Sequence, residues 1–118
     1  MRYGTTRVVL LIGSFAIKFP RPSNIRRFAM GILANMDERL WFRESPADWK
    51  LNMAPALYCF WGFVLIAKRA RSITQKQYET INDADYIPLP YDKKIDNFGL
   101  YEERIVLVDY GATRFVTN

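Results

Sequence analysis

Twice the chain runs an apolar segment into a glycine and out into a second apolar segment. Val8-Val9-Leu10-Leu11-Ile12 meets Gly13-Ser14 and resumes as Phe15-Ala16-Ile17-Lys18-Phe19. Ala56-Leu57-Tyr58-Cys59-Phe60-Trp61 meets Gly62 and resumes as Phe63-Val64-Leu65-Ile66-Ala67. β-Branched and aromatic residues on both sides of a glycine-bearing turn predict a hairpin in each place. Neither run reaches the roughly 20 apolar residues that cross a bilayer. Pro20 and Pro22 close the first hairpin, because proline has no N–H to give to a ladder.

Between the hairpins the period changes. Ser23 or Asn24 can cap a helix over 24–43, and Ser45-Pro46 ends it. Ile25, Phe28, Ala29, Ile32, Leu33, Met36 and Leu40 recur at helical spacing and are expected to form its core face. Glu38 points away from that face, and Asp37 lies on its flank. A loop carrying Trp49 and Met53 leads to Pro55. After the second hairpin a charged strip, Lys68-Arg69-Ala70-Arg71, leaves the sheet. Ser72 or Thr74 then caps a short helix over 75–81. Residues 84–90 read as a loop, 92–99 as a polar turn, and Ile105-Val106-Leu107-Val108 as a last strand. The sum is an α+β domain spanning 1–118: a four- or five-stranded antiparallel sheet with one long helix packed on it.

At 118 residues there is room for one ordinary domain, and a 50% hydrophobic content is enough for a packed core. No histidine is present. That excludes Ser-His-Asp and Cys-His catalysis, histidine-ligated metals and a histidine pH switch. The lone Cys59 excludes an internal disulfide and, without a good signal peptide upstream, points to the cytoplasm. A net charge of +5 suits a phosphorylated ligand, an acidic partner or nucleic acid.

Polar groups interrupt the apolar pattern at three places. Lys18 interrupts the second arm of the first hairpin. Asp92-Lys93-Lys94-Ile95-Asp96-Asn97 gathers carboxylates, ammonium groups and an amide. Asp109 follows the last strand and precedes Tyr110-Gly111. A carboxylate at a strand mouth and an asparagine suit a hard cation, and a lysine can clamp phosphate oxygens.

In this order the residues resemble the protein kinase-like superfamily, including its short phage and prophage members. Ala16-Ile17-Lys18 resembles the strand motif whose lysine holds nucleotide phosphates. Asp92-x-Lys94-x-x-Asn97 is similar to the catalytic loop, and Asp109-Tyr110-Gly111 to the magnesium-binding triplet. The helix over 24–43 stands where the family carries a glutamate paired with the strand lysine; Glu38 is the residue named, with Asp37 as the alternative. The resemblance implies Asp92 as base, Lys94 on the transferred phosphate and Asn97 and Asp109 as magnesium ligands. It further implies Lys18, Glu38 and Gly4 at the nucleotide, with ATP and Mg as cofactors.

The departures bear on function. The glycine-rich loop is reduced to Gly4, with no first strand before it. Pro90 and Tyr91 replace the residues before the catalytic aspartate, and seven residues follow Gly111. The expectation is therefore a degenerate miniature kinase-like protein that acts through a protein partner and retains some nucleotide binding. The competing expectation is a small basic protein of a phage or mobile element that inhibits a host defence or nucleoprotein complex, such as an anti-CRISPR-type inhibitor, without nucleotide chemistry. A protein partner, nucleic acid on a basic face, a second copy over an exposed sheet face and no membrane complete the list of expected associations.

Overall fold

Both glycine-centred hairpins form in the computed structural model, which describes residues 2–3, 6–82, 86, 95–108 and 110. The first joins β2 (Arg7–Ile12) to β3 (Phe15–Pro20), in register from Arg7 opposite Pro20 to Ile12 opposite Phe15. The second joins β4 (Ala56–Phe60) to β5 (Val64–Lys68). Its turn places Trp61 at φ 53 and Gly62 at φ 82, the left-handed region that glycine enters without penalty. A two-residue strand, β1 (Arg2–Tyr3), pairs with β2, which corrects the expectation that no strand precedes the first hairpin. The resulting antiparallel sheet of five strands has the order β1-β2-β3-β5-β4.

The chain between the hairpins is α1 (Ile25–Glu44). The Asn24 side chain accepts from the Arg27 amide at its start, and Ser45 closes its end on the Trp41 carbonyl. The loop that follows contains a short helix, α2 (Ala47–Lys50).

The rest of the chain builds a second sheet instead of extending the first. β6 (Arg71–Ser72), β7 (Phe98–Tyr101) and β8 (Arg104–Leu107) form it in that order. Arg71 is therefore a strand residue, not part of a charged strip leaving the sheet, and residues 98–99 belong to a strand where a polar turn was expected. The short helix is α3 (Gln75–Glu79), started by a capping box in which Thr74 and Gln77 bond each other's backbone N–H.

The hydrophobic core lies where the two sheets meet. Met53, Leu65, Ile73, Tyr86, Phe98, Leu107 and Tyr110 are its largest members, with Trp41 and Phe42 of α1 packed at its border.

Most of the stripe assigned to the helix core faces away from the sheet; only Phe28 and Ile32 of it are half-buried. Ile25, Ala29, Leu33, Met36 and Leu40 are exposed, while Gly31, Ala34, Asn35, Asp37 and Glu38 are buried. Gly31, Ala34, Asn35 and Glu38 are also a helical stripe, but one of small and polar residues. It faces the sheet because Arg7 and Lys18 project from the sheet there. Two buried cations need a carboxylate more than the sheet needs leucines. Small size helps as well: a Cβ on Gly31 would lie 2.7 Å from Pro20 Cα, so only glycine lets the helix come this close.

Among the described residues no helix is long and apolar enough to cross a membrane.

Candidate functional site

Strand alternation decides which side chains can meet beneath α1. Arg7 on β2 and Lys18 on β3 both point to the helix side, where they are buried. Glu38, 1% exposed on the second turn from the C-terminal end of α1, reaches down between them. Its Oε2 lies 2.6 Å from Lys18 Nζ and its Oε1 lies 3.0 Å from Arg7 Nη2. One carboxylate therefore binds two cations from two adjacent strands.

Asn35, one helical turn earlier, completes the arrangement. Its Oδ1 accepts from Arg7 Nη1 at 3.1 Å. Its Nδ2 donates to the Lys18 carbonyl at 3.1 Å and to the Gly62 carbonyl at 2.9 Å. A single amide thus ties β2, β3 and the β4–β5 turn to the helix. Buried polar groups of this kind hold a geometry firmly when every member is bonded.

Lys18 also donates to the Val108 carbonyl, just beyond β8. The Val108 amide in turn donates to the Asn97 carbonyl at 2.9 Å, at the end of a 3-10 turn formed by Ile95–Asn97. The network under α1 therefore continues into the second sheet. Nearby, Tyr110 is fully buried and donates its hydroxyl to the Ala54 carbonyl at 2.7 Å. Burial, and after it the Glu38 carboxylate, push its phenol well above the ordinary value of 10.0. Burial likewise raises the Cys59 thiol, which makes it a weak nucleophile.

Of the residues named from sequence, Lys18 and Glu38 meet directly and Asn97 joins them through Val108. Asp37 is buried beside Glu38 on α1. Gly4, Asp92, Lys94 and Asp109 lie outside the described residues. Arg7 and Asn35 were missed. The signal that would have found them is the polar stripe Asn35-x-x-Glu38, read together with two cations at inward positions of paired strands. The described residues hold no group of three or more histidine, cysteine, aspartate or glutamate side chains placed to take a metal ion.

The basic residues fall in separate stretches of the described chain. Arg21, Arg26 and Arg27 follow the Pro20 end of β3, while Arg69 bonds the Gly13 and Ser14 carbonyls at its other end.

Comparison with protein-family models, with curated proteins and with solved structures found no match for the chain. The site itself is a buried polar latch between a sheet and a helix, in which two cations share one carboxylate. Such a latch can orient a lysine and fix a helix; its carboxylate is too enclosed to serve a substrate in water.

Proposed function

We propose that this chain is a degenerate kinase-like module that works by binding a protein partner, with nucleotide binding as a secondary property. The observation that supports it is the buried Lys18–Glu38 ion pair joining the third strand to the long helix. A strand lysine held by a helix glutamate is the pairing that the motif resemblance implies. A bound nucleotide–magnesium complex would supply the phosphates, and of the residues the resemblance assigns to it, Lys18 and Asn97 are described; Lys18 is buried on Glu38 and the Val108 carbonyl and would meet a phosphate only at the edge of that network. Glu38 holds Lys18 in place, and it also carries Arg7. Lys18 is thereby oriented, but much of its charge is balanced inside the fold, which favours binding over phosphoryl transfer.

Thermal unfolding with ATP and Mg2+ tests the nucleotide part. The expected result is a rise in Tm that Lys18→Met removes and Arg7→Met, a network control, retains. No rise with any nucleotide overturns this part.

One observation favours the second reading, a small inhibitor-type binding module without nucleotide chemistry. Leu33, Met36 and Leu40 lie exposed along α1, and Trp61 stands 86% exposed on the turn beside it. Large exposed aromatics and aliphatics are the anchors of protein interfaces. A stoichiometric complex that survives Lys18→Met and is lost in Met36→Glu would establish that reading over the first.

A further inference from the structure

The five-stranded sheet has a second face, opposite α1, and its chemistry is the reverse of the first. With Arg7, Lys18, Leu65 and Ala67 turned toward the helix side, alternation sends their neighbours outward. Leu10, Ile17, Ile66 and Tyr58 form one cross-strand row on that outer face. The pairs Val8–Phe19, Ile12–Phe15 and Val64–Phe60 flank it. All ten are apolar or aromatic, and every one is half-buried or exposed. Among the described residues the charged one on this face is Lys68, at the end of β5, and its ammonium lies 4.8 Å from the Phe15 ring centre. A lysine so placed can remain at a rim.

The size of the face limits what it can be. Phe15, Tyr58 and Phe60 are 38%, 62% and 55% exposed. Aromatic side chains offer about 150–250 Å² each, so these three leave roughly 100 Å² apiece in water. The whole face then presents on the order of 700 Å², above the roughly 300–600 Å² of the largest patch on a typical monomer. A standard interface takes about 800 Å² from each partner.

We infer that this outer face is a homodimer interface, occupied by the same face of a second copy. A partner bringing charges to it would bury them without counterparts, so the occupant must be apolar. A second copy supplies an apolar antiparallel sheet of equal area. Two such sheets stack about 10 Å apart with their strands nearly aligned. A two-fold axis makes the contact self-complementary and closed. The arrangement also resolves the net charge of +5. α1 and its exposed Arg26, Arg27 and Arg43 lie on the other side of each sheet, so the two sets of cations end on opposite sides of the dimer.

Sedimentation equilibrium of the full chain between about 1 and 100 µM tests this. The expected species has twice the 13.9 kDa of one chain. Ile12→Lys and Tyr58→Lys, at exposed positions the fold does not depend on, should each weaken the dimer at least 30-fold while melting as the parent does. Met36→Lys, on the outer stripe of α1, should leave it intact. A parent chain that is monomeric at 100 µM overturns the inference, including one that instead binds phosphatidylcholine vesicles or a different protein through this face. So does a dimer that both lysine variants leave unchanged, or one that Met36→Lys dissolves. The inference is independent of the nucleotide reading: a monomer stabilised by ATP fails the former and keeps the latter.

Discussion

The two buried interfaces of this molecule are built from opposite materials. Between α1 and the first sheet the large buried groups are Arg7, Lys18, Asn35 and Glu38, set among the small Ala16, Gly31 and Ala34. Where the two sheets meet they are Met53, Leu65, Phe98, Leu107 and Tyr110. Apolar burial is non-directional, and many packings of similar volume satisfy it. A charged network is satisfied by few geometries and is destabilising in all others. The sheet–sheet core therefore supplies most of the stability, and the network dictates where the helix sits and which face it shows.

Removing the shared carboxylate is the sharpest way to break this contrast. Glu38→Ala takes from Arg7 and Lys18 the group that both bind, and is expected to destabilise the fold by about 3–5 kcal/mol in urea unfolding. Replacing the three charges together, as Arg7→Met, Lys18→Met and Glu38→Leu, should recover most of that loss, because none of the three is left as a buried charge without its partner. A Glu38→Ala loss below about 1 kcal/mol would mean that the network does not position the helix.

Gly31→Ala comes next in size. On propensity alone it should stabilise a helix by about 1 kcal/mol. Against the Thr6 carbonyl and Pro20, however, the new methyl group has no room, with Pro20 Cβ only 2.9 Å away. The net change expected in thermal unfolding is a loss of about 1–3 kcal/mol. A neutral or stabilised variant would show that the helix can stand further from the sheet than it does.

The smallest effect is at Tyr110, in the apolar interface. Losing its hydrogen bond to Ala54 in Tyr110→Phe should cost about 0.5–1.5 kcal/mol near neutral pH. The pH dependence has a definite sign. The folded state keeps this phenol protonated above pH 10.0, while the unfolded chain releases the proton there. The unfolded state then binds fewer protons, so stability falls with rising pH, by at most about 1.4 kcal/mol per unit. Unfolding curves from pH 8 to 11 should show a steeper alkaline decline in the parent than in Tyr110→Phe. Equal slopes would place this hydroxyl in contact with water.

Much of the fold was legible in the sequence for local reasons. Gly13 and Gly62 marked the two turns, Pro20 and Pro22 the end of a strand, and Asn24 and Thr74 the helix caps. Motif order named Lys18 and Glu38 together, and they lie 2.6 Å apart. The second sheet was harder to read. β6 is two residues long and pairs with a strand more than twenty residues later, so no local pattern announces it. The face of α1 was misread at five of its seven expected positions, because hydrophobic periodicity assumes that the most apolar stripe turns inward.

That assumption fails here for a reason outside the helix. From sequence alone follow the strands of the two hairpins, their turns, the caps, the exclusion of histidine chemistry and the spacing that sets Glu38 apart from the apolar stripe. Only the tertiary structure decided that the polar stripe is the buried one. Arg7 and Lys18 come from strands at a distance in the chain, and their charges, once enclosed, require the Glu38 carboxylate. The apolar surface of α1 and the outer face of the sheet are left to water or to a partner as the consequence.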